Sequence, residues 1–371
     1  MRILVFADVP PHVVGGAEMQ AWRLARAWVR MGHEVQIAGH RIPAIEQDGI
    51  RLIHLPVFYP GGRALRGLTY FLSLSVFLLI HKKNYDFIYC RFLGEAALSV
   101  AVLKRLGLVR LPMMAVPAAG GSEDKADLAL LRSLPGNKRI LELINQQCDC
   151  INFIAPGIEK SMSSVGLRPK LTACIPNGVS VPDQSAIGPE DHVEKLLFVG
   201  RLVYQKGVDI LFQALSRMKK GGGKFALRLI GDGSDRKSLE RLAIELDLLD
   251  RITFMGERRE DAIRDEMLKA HLFVLSSRYE GMSNAALEAL SYGLPCVLTA
   301  CGGLDTHITS NTGWVCEPGD AKMLYQALLE ASSLTSENWK MMSKKCRSLI
   351  KENFSLESVA LKNMELFEAL R

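Results

Sequence analysis

From its first residues the chain alternates short apolar runs with stretches whose apolar positions recur every three or four residues. Residues 3–7 read as a buried strand. Ala17, Ala21, Leu24, Ala25 and Trp28 then share one face of a helix over 17–31, with arginines at 23, 26 and 30 between them. Gly32 is a stop signal, and 34–38 is the next strand. This β-α-β order implies a parallel sheet, and further strands at 50–54, 87–90, 112–116, 151–154 and 171–175 extend it into one doubly wound domain. The segment 176–190, rich in Pro, Gly, Ser and Asp, reads as a hinge. Beyond it, runs at 195–199, 226–230, 251–254, 272–275 and 295–298 repeat the pattern. The expected fold class is therefore α/β, with two Rossmann-like doubly wound domains over 1–178 and 192–354 and a cleft between them. The tail 355–371 is an amphipathic helix capped by Ser355, with Leu356, Val359, Ala360, Leu366, Phe367 and Leu370 on one face. It is expected to pack back onto the first domain.

Composition changes this picture little. Of the 371 residues, 48% are hydrophobic and 23% charged, which is ordinary globular usage and excludes a disordered chain. The apolar N-terminal stretch is interrupted by Asp8 and is too short for a secretory signal. The longest apolar run, 68–80, has 13 residues. As a helix it would span about 20 Å, less than a bilayer core of about 30 Å. It is expected not to cross a membrane, and to be a buried core helix rather than an interfacial one, the alternative that the basic residues Arg63, Arg66, Lys82 and Lys83 around it keep open. The eight cysteines include no C-x-x-C pair and read as reduced thiols of a cytosolic protein. The eight histidines include no H-x3-H pair, and no metal site is expected.

Charge does add something. Residues 1–185 hold 21 Lys and Arg against 14 Asp and Glu, whereas 186–371 hold 25 against 26, so the whole excess lies in the first half. An anionic partner suits that half, either a membrane surface or a charged acceptor. Nucleic acid is not among the expected partners.

Three clusters could carry chemistry. In the stretch from Ser276 to Pro295, Glu280 and Glu288 flank seven residues. Glu280 follows a strand, and Ser283 or Asn284 is suited to cap the next helix. The N–H groups of 284–286, including Asn284 and Ala285, would then face an anion, and the two carboxylates could accept hydrogen bonds from sugar hydroxyls. In Gly200-Arg201-Leu-Val-Tyr-Gln-Lys206-Gly207, Arg201 and Lys206 stand at a strand exit where a diphosphate could be neutralised. Gly15 and Gly16 open the first helix, and Gly231-Asp-Gly233 follows a strand. Each is a weaker signal, which a tight turn explains as well as a ligand does.

On these residues the chain resembles glycosyltransferase family 4, the retaining GT-B enzymes that use nucleotide-diphosphate sugars. The resemblance is carried by the Glu280 to Glu288 pair, the Gly-Arg-Leu-x3-Lys-Gly segment, Ile175-Pro-Asn-Gly-Val179 and Ile230-Gly-Asp-Gly233, in order and spacing. It implies an N-terminal acceptor domain and a C-terminal donor domain. It also implies that Arg201 and Lys206 contact the donor phosphates, Glu280 the donor sugar, Glu288 the ribose, and Glu257 and Arg258 the base. A UDP-sugar is the expected donor and is a substrate rather than a cofactor. A lipid-linked or lipopolysaccharide acceptor is expected, with a cytoplasmic protein peripheral to the inner membrane face. One departure stands out. Many members carry a histidine after the strand at 112–116, where this chain reads Ala115-Val-Pro-Ala118-Ala-Gly120-Gly121. Either backbone groups of the Gly120-Gly121 turn replace it, or the chain is an inactive, transferase-like member of a glycan-assembly complex. Dinucleotide-dependent oxidoreductase chemistry is disfavoured, because no complete G-x-G-x-x-G follows a strand.

Overall fold

The computed structural model describes residues 1–13, 15–60, 62–117 and 136–371. The chain divides into two compact units, Met1–Gly178 with Leu356–Arg371, and Val179–Ser355. In the first, β1 (Arg2–Phe6), β2 (Glu34–Gly39), β3 (Glu46–Gln47), β4 (Ile50–His54), β5 (Phe87–Arg91), β6 (Met113–Val116), β7 (Cys150–Asn152) and β8 (Thr172–Ala173) form one sheet, ordered β3-β4-β2-β1-β5-β6-β7-β8. Among its described pairings only β3 with β4 is antiparallel. Ile3, Leu4 and Val5 are completely buried, because a central parallel strand is covered on both faces. Helices α1 (Gly16–Arg30), α2 (Gly62–His81), α3 (Glu95–Arg105), α4 (Asn137–Gln147) and α5 (Pro156–Ser164) accompany it.

The second unit pairs β9 (Lys195–Val199), β10 (Ala226–Ile230), β11 (Ile252–Gly256), β12 (Leu272–Leu275), β13 (Cys296–Thr299) and β14 (Gly313–Cys316) in the order β11-β10-β9-β12-β13-β14, all parallel. With it go α6 (Val208–Lys220), α7 (Arg236–Glu245), α8 (Glu260–Lys269), α9 (Asn284–Ser291), α10 (Ala321–Ser332) and α11 (Ser336–Asn353). The last helix, α12 (Leu356–Ala369), belongs to the first unit. Its Phe367 stacks on Phe87 at 4.0 Å and meets Trp28 edge-on at 5.4 Å, and the Trp28 indole donates to the Ala360 carbonyl. Leu356, Val359 and Ala360 are buried as the periodicity predicts. Leu366 and Leu370 are only half-buried, and Asn363 and Met364 take the inner places.

Several local expectations are corrected. The strand predicted at 171–175 shortens to two residues, because the Asn152 carboxamide accepts from Ile175 N and donates to Ile175 O in place of a strand neighbour. The expected hinge at 176–190 does contain the division between the units, at Gly178 and Val179, but from Pro182 onward it is tied to the second unit. Ala186 N bonds to Tyr292 O, Ile187 N to Leu268 O, and the Arg347 guanidinium to the carbonyls of Pro182 and Gln184.

The largest correction concerns the apolar run. It is part of a 20-residue helix, α2, and the stretch Ala64–Asn84 is long and apolar enough to cross a membrane. Counting only contiguous apolar residues missed the turns that Gly62, Ala64 and Leu65 add. Nor is it a core helix throughout: only 22% of its most apolar window is buried. Tyr70, Leu74 and Leu78 enter the core, while Leu68, Leu72, Val76, Leu79 and Ile80 are 40 to 68% exposed.

Candidate functional site

In the second sheet the strand order runs outward one way from β9 through β10 to β11, and the other way from β12 through β13 to β14. Loops leaving β9 and β12 therefore diverge, and such a reversal opens a crevice at the carboxyl ends of the strands. Both polar clusters of this half lie on those two loops.

After β9 the chain passes through a 3-10 turn, Tyr204–Lys206, into α6. Gly207 has φ +59°, and a Cβ there would lie 2.1 Å from the Ser276 carbonyl oxygen. Only glycine permits this crossing of the two loops. Ser276 fixes it by donating its Oγ to the Gly207 carbonyl at 2.9 Å. The consequence is that the Lys206 ammonium pairs with the Glu280 carboxylate, with side chains only 12% and 18% exposed. Ser277 Oγ also donates to that carboxylate, at 3.4 Å. Arg201 is exposed and donates to Gln205 Oε1 at 3.4 Å, and Gln205 in turn donates to the Tyr279 carbonyl beside Glu280.

Ser283 caps α9, its Oγ accepting from Ala286 N at 3.3 Å. The expectation that the N–H groups of 284–286 all face an anion is corrected at Ala286, whose donor the cap consumes. Glu288 lies in the second turn of α9, half-buried. Gly231, with φ +133°, would place a Cβ 1.9 Å from the Gly200 carbonyl oxygen, and its N–H bonds to Gly256 O. It is thus a contact point between three strand exits. Glu257 and Arg258 follow Gly256 and are exposed. Gly15 and Gly16 belong to the first unit, where α1 begins at Gly16 and Gly15 is extended at φ −165°. Ala118, Gly120 and Gly121 lie outside the described residues.

Sequence reasoning missed Arg278. Its guanidinium grips the Asp209 carboxylate through both nitrogens at 2.9 and 2.6 Å, donates to Tyr204 O and lies 4.0 Å over the Tyr204 ring. Burial works to raise the Asp209 carboxyl, but the bonds and charge of Arg278 hold it below its usual value. Its place two residues before Glu280 was the available signal. Cys301, also unforeseen, borders the same pocket as Glu280 and Asp305. Burial pushes its thiol up to about 11, so it stands there protonated and un-nucleophilic. Among the described residues no three His, Cys, Asp or Glu gather to hold a metal.

The comparisons with known proteins agree with this layout. Residues 14–181 match the profile of Glycosyltransferase Family 4, and residues 182–352 that of Glycosyl transferases group 1. The chain belongs to glycosyltransferase family 4. Among relatives of this glycosyltransferase, one component of human phosphatidylinositol N-acetylglucosaminyltransferase is 23% identical, covering 96% of this chain and 73% of the relative. The lipopolysaccharide 1,6-galactosyltransferase of Escherichia coli K12 is 31% identical, covering 45% of this chain and 48% of the relative. Among solved structures, Anabaena HepE in complex with UDP-glucose superposes with TM-score 0.80 over the whole of both chains at 19% identity, which shows a shared GT-B fold.

The Arg278 clamp holds the Lys206 turn against the Glu280 loop. In Arg278→Lys the fork is lost and a charge kept, so a stability loss of about 1 kcal/mol is expected. A few-fold rise in donor KM should accompany it, measurable by thermal melts and steady-state kinetics.

Proposed function

We propose that the enzyme is a retaining hexosyltransferase that moves a sugar from a UDP-sugar to a hydroxyl of a lipid-linked or lipopolysaccharide-type acceptor. The observation that carries this reading is the meeting of Lys206 and Glu280 at the strand-order reversal. In this reading Lys206 and Arg201 neutralise the departing diphosphate. Glu280 orients the donor sugar through its hydroxyls, Glu288 accepts from the ribose, and Glu257 with Arg258 flanks the base. Ala285 at the start of α9 adds a backbone donor and the partial positive charge of a helix N-terminus. The UDP-glucose bound by HepE and the lipid substrates in the names of two relatives support the donor and acceptor classes.

The stereochemistry follows from charge placement. With a cationic clamp on the leaving phosphate, that phosphate can take the acceptor's proton on the same face of the sugar, and no separate base is needed. Electrostatic stabilisation of the leaving group then lowers the barrier without proton transfer to a side chain. An α-linked product from an α-linked donor is expected, and proton NMR of the anomeric coupling reads it directly. A β linkage would overturn the mechanism.

A further inference from the structure

We infer that the exposed apolar face of α2 docks into the headgroup–acyl boundary of an anionic bilayer, with the helix lying in the membrane plane. This surface belongs to the first unit, whereas the donor-site residues belong to the second, and the inference stands whatever sugar is transferred.

At 100° per residue, Leu68, Leu79, Leu72, Val76 and Ile80 fall within one arc of about 120°, and Tyr70, Leu74 and Leu78 fall within a narrower arc on the other side. The second arc is buried in the first unit and the first is not. A helix apolar all round is ordinarily buried all round. Here the uncovered side is a continuous stripe, about 30 Å long for the whole helix. Its N-terminal end is extended by Phe58 and Tyr59, each about half exposed, and Phe58 N donates to Thr69 Oγ1 on the helix itself. At its C-terminal end the Lys82 ammonium donates to Leu108 O at 2.6 Å, bringing exposed Leu106 and Leu108 alongside.

Charge selects the occupant. From Gly62 to Tyr85 the sequence has no Asp or Glu. The nearby carboxylates are neutralised within the fold: Glu95 by Arg66, Asp86 by Arg2, and Asp149 by Lys104. Lys83, Arg105 and Arg110, all exposed, have no ion-pair partner among the described residues. A second copy of this face would bring the same apolar stripe but no counter-charge for them. Anionic headgroups supply counter-charge and acyl chains cover the leucines, which is how amphipathic interfacial helices bind.

The test is flotation of the full chain with phosphatidylcholine vesicles, with and without about 30% phosphatidylglycerol, at low and high salt. Binding is expected only with the anionic lipid and should weaken as salt rises. Leu72→Asp with Val76→Asp should lower it by about tenfold or more, and Lys83→Glu with Arg105→Glu by a few-fold. Both sites are solvent-facing, so unchanged thermal melts would show that the fold survives. Undiminished binding by the aspartate variant, or indifference to lipid charge, would overturn the inference. So would a dimer in analytical ultracentrifugation that the aspartates dissociate, since that would assign the face to a second copy. Transfer to a water-soluble acceptor, measured in parallel, should be unchanged in both variants.

Discussion

Lys206→Ala is expected to slow transfer by about a hundredfold at saturating donor. The side chain is 12% exposed, and its one ionic partner among the described residues is Glu280, itself 18% exposed. A charge-assisted contact in so dry a place contributes about 1.5–3 kcal/mol, or roughly ten- to more than a hundredfold in rate if it acts on the leaving group. The upper part of that range applies for a second reason. Removing the lysine leaves the Glu280 carboxylate poorly compensated and repelling the donor phosphates. Two roles for Lys206 must be separated, because a lysine that merely positions Glu280 would also cost activity. Affinity for UDP separates them. If the ammonium meets phosphate, Lys206→Ala weakens UDP binding, whereas Glu280→Gln lowers turnover and leaves UDP affinity intact or raised. Equal UDP affinities in wild type and Lys206→Ala would remove the lysine from the phosphate site.

How much of this was legible beforehand depends on the range of the contact. Central strands such as β1, β9 and β12 stood out as unbroken apolar runs, because parallel strands are covered on both faces. The short strands β3 and β14 did not, and β8 was foreseen at 171–175 but longer than it is. β14 has a half-buried Trp314 and an exposed Val315 between buried ends, and β8 gives way to the Asn152 side chain. Lys206 and Glu280 were each recognisable from their neighbours. Their meeting across 74 residues was not, since it requires β9 and β12 to be adjacent. For α2 the difficulty was of another kind. Its sequence is apolar around most of the circumference, so periodicity cannot tell the covered side from the open one.

Gly231→Ala should be the most damaging single-methyl change in the second unit. At φ +133° a residue with a side chain is strained by itself, and the added carbon would stand 1.9 Å from the Gly200 carbonyl oxygen, a contact with backbone that no rotamer change relieves. Either β10 withdraws from β9 or the bond from Gly231 N to Gly256 O breaks, and both disturb the loop that carries Arg201. A loss of about 3–5 kcal/mol is expected, which for a unit of this size lowers its melting temperature by about 6–20 °C. Gly319→Ala isolates the part due to φ alone. Gly319 has φ +82° and nothing within 4 Å of an added Cβ, so that variant should lose only about 1–2 kcal/mol. Calorimetry of both proteins, with UDP titrated into each, gives the comparison. If the two melt within a degree or so of each other, the approach of the β9 and β10 exits is not what holds the Arg201 loop, and the rigidity ascribed to this side of the site is wrong.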